Sequence, residues 1–133
     1  MKAIGVKRSV EGEAPAAHHV DELHPASALS ALLPRAEFLV LAAPHTPQTE
    51  RVLGAREFGL LPEGSVVINI GRGALVDEEA MIEALRSGRL QGAALDVFAT
   101  EPLPKESPLW TMPNVLVSPH SASTSDRENG RLT

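Results

Sequence analysis

The stretch Val66-Val67-Ile68-Asn69-Ile70-Gly71-Arg72-Gly73-Ala74-Leu75-Val76-Asp77 decides the fold. It opens as a continuous apolar run, the pattern of a parallel strand covered on both faces rather than an edge strand wetted on one. Two glycines around an arginine then break the run. Asp77 is a good N-cap for a helix over Glu78 to Ser87, whose first-turn acids favour the positive helix end. Met81, Ile82 and Leu85 make its apolar stripe, and Gly88 stops it. The same grammar extends outward. Apolar bursts recur at Ala3 to Val6, Phe38 to Ala43 (stopped by Pro44), Gly92 to Val97 and Val115 to Val117. A helix is expected over Ala26 to Leu33, with Pro25 at its first position and Leu29, Leu32 and Leu33 on one face. Strands alternating with helices define an α/β doubly wound parallel sheet. Thr100 to Pro113 is proline-rich and reads as one long ordered loop.

Composition narrows the function. The chain has 133 residues, so one domain is expected. Without cysteine there is neither a disulfide scaffold nor a thiolate metal site, and no metal site is expected elsewhere. Seventeen acids against twelve bases give a net charge of −5, which argues against a nucleic-acid partner. No apolar run approaches the ~20 residues of a membrane span. The basic N-terminus lacks the apolar core of a secretory signal. A soluble cytoplasmic protein is the expectation.

Gly71-Arg72-Gly73 sits where a dinucleotide fingerprint would, but Val76 stands where the third glycine belongs, so a tight turn is the simpler reading. Arg72 carries the interest. At the carboxyl end of a parallel strand it points into the ligand crevice, where its fork suits a carboxylate. Asp96 and Glu101 follow the next strand, and His120 follows the last. An imidazole exchanges protons near neutrality, and a carboxylate beside one orients the ring and favours its charged form. Each residue also has a plainer alternative. Glu101 could be a solvated acid, His120 a structural hydrogen-bonder, and Arg72 a partner of Glu78 or Glu79. His18, His19, His24 and His45 are given no catalytic role.

Taken in order, FLVLAAPHTPQT (38–49), VINIGRGALVD (67–77), EALRSGRLQGAALDVF (83–98), Glu101-Pro102 and PNVLVSPH (113–120) resemble the D-isomer-specific 2-hydroxyacid dehydrogenases. The resemblance spans essentially the whole chain. It implies a Rossmann-like nucleotide-binding domain and an oxidoreductase interconverting a 2-keto acid and a D-2-hydroxy acid. It further implies that Arg72 binds the substrate carboxylate, His120 is the acid–base residue and Glu101 its partner. Asp96 would lie near the nicotinamide carboxamide, while Pro44, Ile70, Gly71 and Ser123 line the cofactor cleft. The first strand ends in Val6-Lys7-Arg8-Ser9, with no acid before Glu11. NAD or NADP is therefore expected, with NADP favoured and Arg8 and Ser9 as its phosphate contacts.

Against the family pattern, residues 1–133 form a partial NAD(P)-binding domain. The first strand, the glycine-rich turn and the substrate domain lie outside it. In a sheet ordered 3-2-1-4-5-6 that first strand is central. Its absence is expected to leave two bare edges, inviting closure of the sheet, a homodimer or a complementing chain. The catalytic reading is thus an activity incomplete on its own. The rival reading is a non-catalytic nucleotide- or partner-binding remnant.

Overall fold

The structure, a computed structural model, describes residues 1–121. Among these residues, six strands form two separate parallel sheets. β1 (Ile4–Lys7) pairs with β2 (Glu22–Pro25), with Ile4 opposite Glu22. β3 (Phe38–Leu41), β4 (Ser65–Asn69), β5 (Leu90–Leu95) and β6 (Val115–Val117) form the main sheet in chain order. The parallel α/β, Rossmann-like class is therefore correct. β1 and β3 have no ladder between them, so the sheet does not close across the position of the central strand. A two-pronged bond from Arg35 to Glu22 ties β2 to the segment that leads into β3.

One of the expected elements needs correction. The helix placed over Ala26 to Leu33 is a broken one: α1 (Leu29–Leu32) is a single turn flanked by 3₁₀ turns at Ala26–Ala28 and Leu33–Arg35. Pro34 accounts for the break after Leu32, since its ring cannot continue an α-helical ladder. Two short elements also went unread. α2 (Ala55–Leu60) has only six residues, one of them Gly59, and no periodic stripe to announce it. Its last carbonyls are satisfied by the Arg89 guanidinium, which donates to Gly59 and Leu61. The loop after β5 contains a 3₁₀ turn at Pro108–Trp110. α3 (Glu78–Arg86) is as expected, with Asp77 accepting from the Ala80 amide at 3.1 Å.

Among the described residues the main sheet is covered on one face only, contrary to the expectation from its unbroken apolar runs. Leu41, Val67, Asn69, Ala93 and Leu95 share the inner face with Leu39, Val115 and Val117, packed against Leu33, Phe58, Leu61, Met81 and Leu85. Phe38, Val40, Val66, Ile68, Gly92, Ala94 and Leu116 share the other face by register. There Phe38, Val40 and Leu116 are 58%, 54% and 65% exposed. A contiguous apolar face of this kind marks a surface made to be covered.

Candidate functional site at the carboxyl end of the main sheet

Four turns converge at the ends of β3, β4, β5 and β6. Buried Asn69 closes the turn after β4, accepting from the Gly71 amide (3.1 Å) and donating to the Arg72 carbonyl (3.0 Å). The two glycines serve close approach rather than a left-handed backbone. A Cβ on Gly71 would lie 2.8 Å from the Ala43 carbonyl oxygen, and one on Gly73 only 1.9 Å from the Phe98 backbone. The turn that carries Arg72 is thus wedged between the chain leaving β3 and the chain leaving β5. The tight-turn reading of these glycines was right, and the reason for glycine is tertiary.

Asp96 sits at the end of β5, 5% exposed. Its Oδ1 accepts from the Ser118 hydroxyl at 2.6 Å and the Ser121 amide at 2.8 Å, pinning the segment after β6. That segment presents His120 with a left-handed backbone (φ 55°). His120 Nδ1 lies 2.7 Å from Glu101 Oε2, while Glu101 Oε1 accepts from the Phe98 amide at 2.9 Å. The Glu101–Pro102 peptide is cis. The hydrogen bond from His120 is the main influence holding the Glu101 carboxyl below the usual glutamate range. The Phe98 amide and the nearby Arg72 charge add to it. With Glu101 engaging Nδ1, Nε2 is the ring nitrogen that can exchange a proton.

Arg72 is exposed and lines a cavity of about 420 Å³ with Ala42, Ala43, Pro44, His45, Ile70 and Gly71. The structure therefore gathers Arg72, Pro44, Ile70 and Gly71 around one cleft, with Glu101 and His120 paired close by. Asp96 is spent at least partly on the His120 segment and does not line the cleft. Arg8 and Ser9 follow β1 in the smaller sheet, exposed and outside the cleft lining. Ser123 lies outside the described residues. His45 and Asn69 are additions to the sequence reading. His45 adjoins Pro44 at a strand end, a signal that was available. Nothing in the sequence showed that Asn69 would clamp the next turn.

Acid should weaken this fold. Glu101, Glu22 (held low chiefly by Arg35, then Lys2 and His24) and Glu13 (chiefly by Lys7) all titrate below the ordinary value. A depressed carboxyl contributes stability above its unfolded pKa, roughly 4.3, and loses it as pH falls through the folded value. Thermal melts between pH 7 and pH 3 should show the midpoint falling below about pH 4.3. Glu22→Gln should make that acid limb shallower, and an unchanged limb would refute the role of Glu22.

Fold and site together define a parallel α/β domain with a paired histidine and glutamate and an exposed arginine at the carboxyl edge of its sheet. The model of the D-isomer specific 2-hydroxyacid dehydrogenase NAD binding domain matches residues 1–122, and the chain belongs to that family. It is 46% identical over 95 residues to glyoxylate/hydroxypyruvate reductase B of Pectobacterium carotovorum, covering 71% of this chain and 30% of the relative. It is 40% identical over 98 residues to D-3-phosphoglycerate dehydrogenase of Methanocaldococcus jannaschii, covering 74% of this chain and 18% of the relative. Among solved structures, the NADPH-dependent glyoxylate/hydroxypyruvate reductase of Sinorhizobium meliloti, in complex with NADP and sulfate, matches with a TM-score of 0.84 and 41% identity. That match covers 99% of this chain and 42% of the other. The chain thus spans less than a third of the length of these curated relatives.

Proposed function

We propose that this chain supplies the proton-transfer and carboxylate-binding half of an NADPH-dependent reductase that converts a 2-keto acid to a D-2-hydroxy acid. The pairing of His120 with Glu101 beside Arg72 carries this reading. Arg72 grips the substrate carboxylate with two hydrogen bonds and draws electron density from the adjacent carbonyl. His120 gives its Nε2 proton to the carbonyl oxygen as that oxygen gains charge, and Glu101 steadies the imidazolium before transfer. The cleft fits the nicotinamide end of a dinucleotide. Ile70, 46% exposed, and Pro44 offer apolar walls, and Gly71 keeps the floor free of a side chain. When bound, the nicotinamide supplies the hydride. Arg8 and Ser9, with no acid nearby in sequence before Glu11, are the proposed contacts for a ribose phosphate. Glyoxylate and hydroxypyruvate are the proposed substrates, because relatives of those names are among the most similar.

Two structural facts support a complementing segment: the lack of a ladder between β1 and β3, and the open apolar face of the main sheet among the described residues. A glycine-rich turn leading into a helix at that position would hold the pyrophosphate. The test is to combine this chain with a polypeptide carrying the first strand, glycine turn and substrate domain of a family member. Keto-acid-dependent oxidation of NADPH should appear only in the mixture and exceed that of NADH. Failure of the assembled complex to oxidise either nucleotide would refute the enzymatic reading. The rival, a binding remnant, predicts nucleotide binding or self-association without turnover.

A further inference from the structure

We propose that Glu78, on the first turn of α3, is a positioning residue that tethers the loop carrying Glu101 and so sets the Glu101–His120 pair. Glu78 Oε2 accepts from the Ala99 amide at 3.1 Å, across 21 residues of sequence. The preceding amide, of Phe98, goes to Glu101 itself. Two consecutive amides of this loop are thus held by two different carboxylates, one of them anchored on a helix of the core. Glu78 is not the cap of its own helix, because Asp77 fills that role at Ala80. The close approach permitted by Gly73 brings the loop within reach. Asp96 makes the matching attachment on the other side, holding Ser118 and Ser121 around His120. Each member of the pair therefore rides on a loop fixed by a carboxylate from the sheet–helix framework.

The inference rests on the reading above only for the catalytic meaning of the pair. The charged groups acting on Glu101 are His120 and Arg72. The test separates reach from charge. Glu78→Gln keeps an oxygen acceptor at the same reach and loses the charge. Glu78→Asp keeps the charge at the helix end but withdraws it by one methylene. In the 133-residue chain, hydrogen exchange at Ala99 and the carbon-13 titration of the Glu101 carboxyl are followed by NMR. Glu78→Asp should speed Ala99 exchange by up to roughly tenfold, the scale of one lost hydrogen bond. It should also move the Glu101 midpoint up toward the ordinary glutamate value. Glu78→Gln should leave both near the parent.

A Glu78→Asp chain that matches the parent overturns the tether, and an intact Asp variant beside an impaired Gln variant assigns Glu78 to the helix dipole instead. Should the Asp variant fail to fold, loss of Ala99 protection in Glu78→Gln overturns the proposal by itself. Neither readout needs turnover. An inactive complemented enzyme would leave a positive result standing, and a silent Glu78→Asp would leave the proposed reaction standing.

Discussion

His120→Ala lowers kcat/KM for keto-acid reduction by about a hundredfold to ten-thousandfold in the complemented enzyme, the range assigned to a positioned general acid. In the proposed mechanism Arg72 would still grip the carboxylate, so KM for the keto acid should change far less than kcat. The left-handed backbone of His120 complicates alanine, because histidine adopts φ 55° more readily than alanine does. His120→Asn answers that objection. Asparagine tolerates this conformation and can hydrogen-bond to Glu101, yet it has no titrating group near neutrality. Both variants should be comparably slow and lose the pH dependence that the imidazole imposes. Retention of full activity in the asparagine variant would remove His120 from the mechanism.

Gly73→Ala should be the most damaging small substitution in the described residues. The new methyl would lie 1.9 Å from the carbonyl carbon and oxygen of Phe98 and 2.5 Å from the Ala99 nitrogen. All of these are backbone atoms, so no side chain can swing aside. The loop must retreat, and with it the Ala99–Glu78 bond and the approach of Glu101 to His120. Overpacking of this kind costs about 1–3 kcal/mol and occasionally more. The check is a thermal melt of the variant, with the Glu101 titration as a local readout. Gly59→Ala is the matched control, since a Cβ there meets nothing within 4 Å. An unshifted midpoint in Gly73→Ala would show that the two turns can part without cost.

Much of the site was legible because its chemistry lives in residue types at strand ends. Arg72 follows β4, Asp96 follows β5 and His120 follows β6, and parallel strands bring those ends to one edge by necessity. The pairing of Glu101 with His120 came from resemblance to a family and not from spacing, since 19 residues separate them. The purposes of Asn69 and Glu78 were beyond reach. Each bonds to a backbone group whose position depends on how the neighbouring loop folds back.

The sequence by itself determined the class of sheet, the long helix with its Asp77 cap and the edge at which the chemistry gathers. These follow from local patterns: unbroken apolar runs, a capping residue and the order of strands and helices. Only the tertiary structure decided that, among the described residues, one face of the main sheet stays open. An apolar run has the same composition whether it is covered on one side or two. It also decided that β1 and β2 stand apart from β3, and that two glycines serve to bring backbones together. Those outcomes depend on which segments meet across the sheet, and hydrophobic burial is non-directional, specifying how much surface is hidden but not by which partner.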